Sequence, residues 1–270
     1  MTKSIKTFET ILLDYENGIY KLVLNRPDKL NTLIEPMCND LLEAFNLIGK
    51  DTSARAMLLS ANGRAFSAGG DMTSLFLKMI DDRKAGKKAF DIATWLSSAS
   101  LALRNLPIPT IATMHGAAIG FGVTLCLQCD MRIASDDTVL GLPFVKLGLI
   151  PEFGCTYILP RLVGIAKAYE LIYTGKNINA QEALQIGLVN MVVPAGELNS
   201  TAQSLAENVA GGAPIAVQRA KKALSSSLNA TLEAQLKLET EGMKETLKSD
   251  DHEEAVRAFL AKRRPSFKGK

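Results

Sequence analysis

Ala65-Phe66-Ser67-Ala68-Gly69-Gly70-Asp71 is the stretch on which the fold turns. It follows a short apolar run, residues 56–59, and the turn signal Asn62-Gly63, and it precedes a helix-like segment that begins near Asp71. Adjacent glycines admit backbone angles that other residues resist, and they let another molecule come close to the main chain. Taken alone, the stretch also fits a plain strand-to-helix turn with Asp71 as N-cap. A second stretch, His115-Gly116-Ala117-Ala118-Ile119-Gly120-Phe121-Gly122, repeats the arrangement: a β-rich run ends at Met114, and an apolar helix opens through Leu125 and Leu127. The first N–H groups of a helix lack internal partners, and the helix dipole favours negative charge there. The glycine spacing is wrong for a dinucleotide fingerprint, and no Gly-Lys-Ser/Thr triplet makes a phosphate loop.

Outward from these junctions the pattern alternates. Residues 11–14 and 19–24 are β-rich and are separated by Glu16-Asn17-Gly18. From Pro36, apolar Met37, Leu41, Phe45 and Ile48 alternate with Asn39, Asp40, Glu43 and Asn46, one face of an amphipathic helix. A helix over about 89–103 leads through Pro107 and Pro109 to a strand at 110–114, and another strand is expected at 131–134. Strand and helix in this order imply parallel pairing with right-handed crossovers. After Val193-Pro194 the character changes, and 196–263 reads as helical, with Leu228, Leu232, Leu236, Met243 and Leu247 at helical spacing. The expectation is an α/β core over 1–195 followed by a helical region over 196–270, either of which offers an oligomer surface.

Composition sets outer bounds. The chain has 270 residues, 47% of them hydrophobic and 22% charged, which is ordinary for a folded chain with a real core. A formal charge of +3 argues against a nucleic-acid partner, although Lys262-Arg263-Arg264, Lys268 and Lys270 form a basic tail that suits either solvent or a phosphate. No apolar run reaches about 18 residues, so no membrane span is expected. Mixed polar residues follow Met1-Thr2-Lys3-Ser4-Ile5-Lys6, which argues against an export signal and for a cytoplasmic protein. Cys126 and Cys129 have CxxC spacing but no companion pair, and their apolar, helix-like setting reads as buried and inert. His115 and His252 stand far apart without neighbouring ligands, so no metal site is expected. His115 suits a packing or hydrogen-bonding role beside Gly116, and His252, among acidic residues, an exposed helix. No Gly-x-Ser-x-Gly run supports a serine hydrolase.

Two amide sites at strand-to-helix junctions could converge on one oxygen. A thioester carbonyl turning into an enolate gains most from such a site, because its charge develops only during the reaction. At this point the sequence resembles the crotonase superfamily, the enoyl-CoA hydratase/isomerase family. The resemblance rests on Leu24-Asn25-Arg26-Pro27-Asp28-Lys29-Leu30-Asn31, on 65–71, and on 116–122 with Cys129-Asp130. It continues through Gly148-Leu149-Ile150-Pro151, Leu159-Pro160-Arg161-Leu162-Val163-Gly164, Tyr173-Thr174-Gly175 and Ala180-Gln181-Glu182-Ala183. Their order and spacing along nearly the whole chain are what make the match specific.

The resemblance implies a crotonase-like spiral of ββα units and a helical C-terminal region that builds homotrimers, often paired as hexamers. It implies oxyanion-hole amides at Gly70 and Phe121. It places coenzyme A, part of the substrate rather than a separate cofactor, against Arg26, Lys29, Ala68 and Asp71. Phe259 and Lys262 match positions that reach the nucleotide end from a neighbouring subunit, whereas Arg263 and Arg264 receive no role.

The departures carry the most information. Where well-known hydratases of the family hold two glutamates, this chain has Thr124 and Phe144. Glu152, in Ile150-Pro151-Glu152-Phe153-Gly154-Cys155, matches a position at which some isomerases carry a single acid/base carboxylate. One carboxylate suffices to take a proton from C2 and return it at C4. A pocket lined by Phe121, Leu142, Phe144 and Ile150 would raise its pKa toward a useful range. The expected activity is Δ3–Δ2 enoyl-CoA isomerisation in fatty-acid metabolism. Alternatives are hydration, hydrolysis or lyase chemistry on another acyl-CoA, or a non-catalytic protein that binds coenzyme A or RNA. Segment 72–90 is expected to shape the acyl pocket, and the charges and glycine of 81–88 suggest mobility.

Overall fold

The structure, a computed structural model, describes residues 3–270; Met1 and Thr2, part of the run read for an export signal, lie outside them. β1 (Lys3–Ser4), β2 (Ile11–Glu16) and β3 (Ile19–Leu24) pair antiparallel in sequence. Asn17 and Gly18 join β2 to β3 with φ of 52° and 83°, the positive angles that a tight hairpin turn demands. α1 (Glu35–Lys50), β4 (Ala56–Ala61), a π-helical turn (Met72–Leu77), α2 (Lys78–Lys84) and α3 (Ile92–Arg104) follow. Next come β5 (Thr110–Met114), β6 (Ala117–Ile119), α4 (Phe121–Leu127), β7 (Met131–Ser135) and β8 (Val139–Gly141). α5 (Cys155–Val163), α6 (Ile165–Thr174), β9 (Asn177–Asn179), α7 (Ala180–Gln185) and β10 (Met191–Val193) complete the alternating part. The chain then runs through α8 (Leu198–Ala210), α9 (Pro214–Ser226), α10 (Leu232–Thr246) and α11 (Asp250–Leu260).

The main sheet has the order β1-β2-β3-β4-β5-β7-β10, and from β3 onward every pairing is parallel. Every residue of β5 is buried, as a parallel strand covered on both faces should be. α1 buries Met37, Cys38, Leu41, Ala44, Phe45 and Ile48 against one face. On the other face, Leu198, Ala202 and Ala206 of α8 pack over Ile19, Ala56, Leu58, Ile111 and Ile133. α8 therefore closes the core although it lies beyond residue 195. Among the buried residues, α9 to α11 contribute only Pro214, Asp251 and Ala258.

A second, smaller layer positions the site. β6 pairs parallel with β8, and β8 antiparallel with β9. Single parallel bridges, Ser67 with Ala118 and Leu33 with Gly70, continue this layer toward the N-terminus. Each turn of the chain thus adds a long rung to the main sheet and a short one to the second, which is the crotonase spiral. Residues 81–84, part of the stretch expected to be mobile, form the end of α2, where Lys78 pairs with Asp82 at 3.1 Å.

Candidate active site

The two glycine-bearing stretches are stitched to one another. Phe66 N–H donates to the His115 carbonyl at 2.9 Å, Ser67 N–H to the Ala117 carbonyl at 3.0 Å, and Ile119 N–H back to the Ser67 carbonyl at 2.9 Å. The contact is tight enough that a Cβ on Gly122 would lie 2.8 Å from the Ser67 carbonyl oxygen. Fully buried Asn31 braces the first stretch from behind. Its Nδ2 donates to the Asn62 and Ala65 carbonyls at 2.8 and 3.0 Å, and its Oδ1 accepts from Arg26 N–H at 2.7 Å. Asn31 sits at φ 50°, a left-handed angle that asparagine tolerates better than most residues.

The two amides expected to form the oxyanion hole are among those this stitching leaves uncommitted. The N–H groups of Gly70 and Phe121 have no backbone partner among the described residues. Phe121 is the first residue of α4, where no intrahelical acceptor exists. Gly120 before it turns the chain at φ 53°, an angle that glycine adopts without steric cost. Both residues line one cavity of about 440 Å³ together with Glu152, which is the only ionisable side chain of that lining among the described residues. Leu33, Met72, Phe76, Leu96, Phe144 and Ile150 supply apolar walls.

Glu152 is carried by the loop between a 3-10 turn (Phe144–Leu147) and α5. The next residue, Phe153, has φ 57°, which is uncommon for a bulky side chain and needs support from its surroundings. That support is visible. Its ring is buried edge-on to Phe121, with centroids 5.6 Å apart, and lies 6.1 Å from Trp95. Buried Gln128 donates its Nε2 hydrogen to the Phe153 carbonyl. Trp95 is itself fixed by a 2.8 Å bond from Nε1 to the Cys38 carbonyl.

The carboxyl group is held unequally. Thr124 Oγ1 donates to Oε1 at 2.7 Å, while Oε2 is buried with no hydrogen-bond partner among the described residues. Its titratable neighbours are Cys38 from α1 and Cys155 at the start of α5. Burial pushes the Cys155 thiol up to about 12 and the Cys38 thiol higher still, so both remain neutral. Burial likewise pushes Glu152 up to about 7, against the opposing pull of the Thr124 hydrogen bond. A carboxyl that changes charge near neutrality, in a cavity shared with two free amide donors, suits proton transfer next to a developing oxyanion.

The other expected residues fall into four places. Ala68, Phe144 and Ile150 line the cavity with Gly70, Phe121 and Glu152. Leu142 does not. It is buried in the main core at 3% exposure, because it directly follows β8, whose residues Leu140 and Gly141 turn inward. Arg26 and Asp71 lie behind the glycine turn, where Arg26 Nη1 donates to the Thr32 carbonyl and Thr32 Oγ1 to Asp71. Asp71 accepts from Thr73 and Ser74 N–H as the N-cap of the π-helical turn, so its capping role is realised. Lys29, Phe259 and Lys262 are exposed and outside the cavity. His115 bonds the Gly63 carbonyl at 2.9 Å and His252 is exposed on α11. Cys126 and Cys129 are buried free thiols, and no group of metal-ligating side chains occurs among the described residues.

Sequence reasoning missed Asn31, Trp95, Gln128 and the Thr124 contact. The contacts that give them these roles reach partners between 25 and 57 positions away, although Asn31 also accepts from Arg26 nearby. By sequence alone, Thr124 reads only as a missing carboxylate.

Comparison with known proteins places this geometry. The family model for enoyl-CoA hydratase/isomerase matches residues 14–270. An enoyl-CoA isomerase/hydratase of Mycosarcoma maydis is 37% identical over 262 residues, covering 94% of this chain and 93% of the relative. A short-chain-enoyl-CoA hydratase of Clostridium acetobutylicum is 35% identical, covering 94% and 95%. The crystal structure of an enoyl-CoA hydratase from Bacillus anthracis superposes with a TM-score of 0.88 at 35% identity, covering 97% of this chain and all of the other. With its spiral fold, its paired amides and a match along nearly its whole length, this chain belongs to the enoyl-CoA hydratase/isomerase family.

Proposed function

We propose that the protein is an enoyl-CoA isomerase that moves a C3–C4 double bond to C2–C3, with Glu152 as its one acid/base group. The observation that carries this reading is the cavity's ionisable content: Glu152 alone, beside the free N–H groups of Gly70 and Phe121. Water addition by a carboxylate pair requires a second acid in the cavity, and at the positions that the family resemblance assigns to that pair this chain has Thr124 and Phe144. Isomerisation requires only one. The ionised carboxylate takes a proton from C2, the electrons of that C–H bond pass into the thioester, and the two amides hold the resulting oxyanion. The protonated carboxyl then donates at C4, the double bond settles at C2–C3, and the carboxylate is restored.

Coenzyme A is bound, in this reading, along Arg26, Lys29, Ala68 and Asp71, with Phe259 and Lys262 reaching it from a neighbouring copy in a homotrimer or hexamer. The relatives named above include both hydratases and isomerases, so substrate assays decide between the two. The test is turnover of 3-enoyl-CoA to 2-enoyl-CoA by wild type and Glu152→Gln, with water addition to 2-enoyl-CoA measured in parallel. Isomerase turnover that disappears with Glu152 supports the assignment. Water addition as the dominant activity, or full isomerase activity in the variant, overturns it.

A further inference from the structure

Thr124 lies where a catalytic carboxylate is absent, and the structure places it in direct contact with the one that remains. Its hydroxyl oxygen is 2.7 Å from Glu152 Oε1 and 3.2 Å from the carbonyl oxygen of Phe121. A hydroxyl has one hydrogen to give and lone pairs with which to accept. It therefore cannot donate to both oxygens at once. When Glu152 is ionised, the hydrogen points to Oε1, the stronger acceptor. When the carboxyl carries the substrate's proton, Oε1 becomes a weaker, neutral acceptor, and Thr124 turns its hydrogen to the Phe121 carbonyl. The second acceptor belongs to the same residue whose N–H forms half of the amide pair.

Among the described residues, no other side chain donates to the Glu152 carboxyl. Thr124 is fully buried and lies outside the cavity lining, so it acts from behind the carboxyl group. The side chains that face Glu152 electrostatically are Cys38 of α1 and Cys155 of α5, both neutral thiols, and no cation acts on it. Glu152 Oε2 is buried without a donor among the described residues. Among the described side chains, Thr124 is thus the one that stabilises the ionised carboxylate by a hydrogen bond.

We propose that Thr124 is the positioning residue of this site, a two-way hydroxyl that holds the Glu152 carboxylate when it is ionised and turns to the Phe121 carbonyl when it is protonated. The proposal rests on the reading of Glu152 as acid/base for its catalytic consequence, though not for the contact itself. Over one turnover the balance closes. The substrate C2 proton moves to the carboxylate while the Thr124 hydrogen swings away from it. Delivery of that proton to C4 restores the carboxylate and returns the Thr124 hydrogen to Oε1. The hydroxyl neither gains nor loses a proton.

The test compares wild type, Thr124→Val, which keeps the shape and removes the hydroxyl, and Thr124→Ser, which restores it. Two readouts are taken: the pH dependence of kcat/KM for 3-enoyl-CoA, and the titration of the Glu152 carboxyl by isotope-edited infrared spectroscopy. Loss of a hydrogen bond to a charged group moves a pKa by roughly one unit or more. In Thr124→Val the acid limb and the carboxyl titration should both move upward by that amount, with KM little changed. Thr124→Ser should bring both back toward the wild-type position. A valine variant whose carboxyl titrates at the wild-type pH overturns the proposal, as does a loss of activity that serine does not relieve. Should Thr124→Val fail to fold, Thr124→Ala set against Thr124→Ser isolates the hydroxyl equally well. Glu152→Gln is run alongside. If that variant keeps its activity, the acid/base reading fails, while the infrared titration of the threonine variants still decides the Thr124 contact.

Discussion

The two halves of the site are built in opposite ways. The amide half uses main chain: glycine turns at 65–71 and 115–122, sewn together by backbone bonds from Phe66 to His115, from Ser67 to Ala117 and from Ile119 back to Ser67. The carboxyl half uses one side chain on a loop whose shape is imposed from outside, by Trp95, Phe121 and Gln128 acting on Phe153. The first half therefore has its chemistry wherever the backbone takes that path. The second has its chemistry only because burial makes an ordinary glutamate hard to ionise. Scaffold and reaction are accordingly separable within one site, as the mixed names of the relatives suggest.

The sharpest way to break this contrast is at the carboxyl. Glu152→Gln should lower isomerase kcat by roughly 10²–10⁴-fold, the usual contribution of a positioned acid/base group. Coenzyme A affinity, measured by calorimetry, should hardly move. The wild-type kcat/KM should rise with pH through about 7 as the carboxyl ionises, and that limb should vanish with the residue.

The amide half should break almost as badly, for a steric reason. A Cβ on Gly70 would lie 2.5 Å from Cε2 of Phe76, so Gly70→Ala must displace either the ring or the amide. A misplaced oxyanion donor typically costs about 10²–10³-fold in kcat. Substrate analogues that mimic the enolate should lose more affinity in this variant than substrates do, which competition assays would show.

A third outcome concerns stability, and it runs opposite to activity. The carboxyl of Glu152 titrates at about 7 in the fold against an ordinary 4.5. Below 4.5 it is protonated in both folded and unfolded chains and contributes nothing. Between 4.5 and 7 only the unfolded chain gives up the proton, so folding stability falls as pH rises, and above 7 the penalty is complete. The shift corresponds to roughly 3 kcal/mol at most. Glu152→Gln should therefore melt above wild type at pH 8, with the advantage fading toward pH 4.5 in a thermal-denaturation series.

The smallest effect is expected at Asp71. It caps the π-helical turn through Thr73 and Ser74, and Asp71→Ala should cost about 1 kcal/mol of stability. Turnover should fall less than in Gly70→Ala. A larger loss would mean that Asp71 holds coenzyme A as well as the turn, and a binding titration would separate the two.

Much of this molecule could be read before its structure was known. The strands at 19–24 and 110–114 and the helix with Pro36 in its first turn stand where periodicity put them. Gly70, Phe121, Glu152, Ala68, Phe144 and Ile150 came from motif order and meet in one cavity. Leu142 packs into the core while Pro143 and Phe144 line the cavity, because the chain leaves β8 at Gly141 and turns into a 3-10 turn at Phe144, a change that no periodicity announces.

Sequence by itself determined what depends on neighbours along the chain: turns that need glycine or asparagine, faces set by helical and strand periods, and backbone amides left over at a helix start. Tertiary structure alone decided what depends on residues far apart. It put Thr124 against Glu152 and left Oε2 without a donor among the described residues. It also surrounded the carboxyl with neutral thiols from α1 and α5. The reason is physical. A backbone conformation is chosen by local sterics, whereas a proton affinity is set by every dipole and every missing water around a group, and those are brought together only by folding.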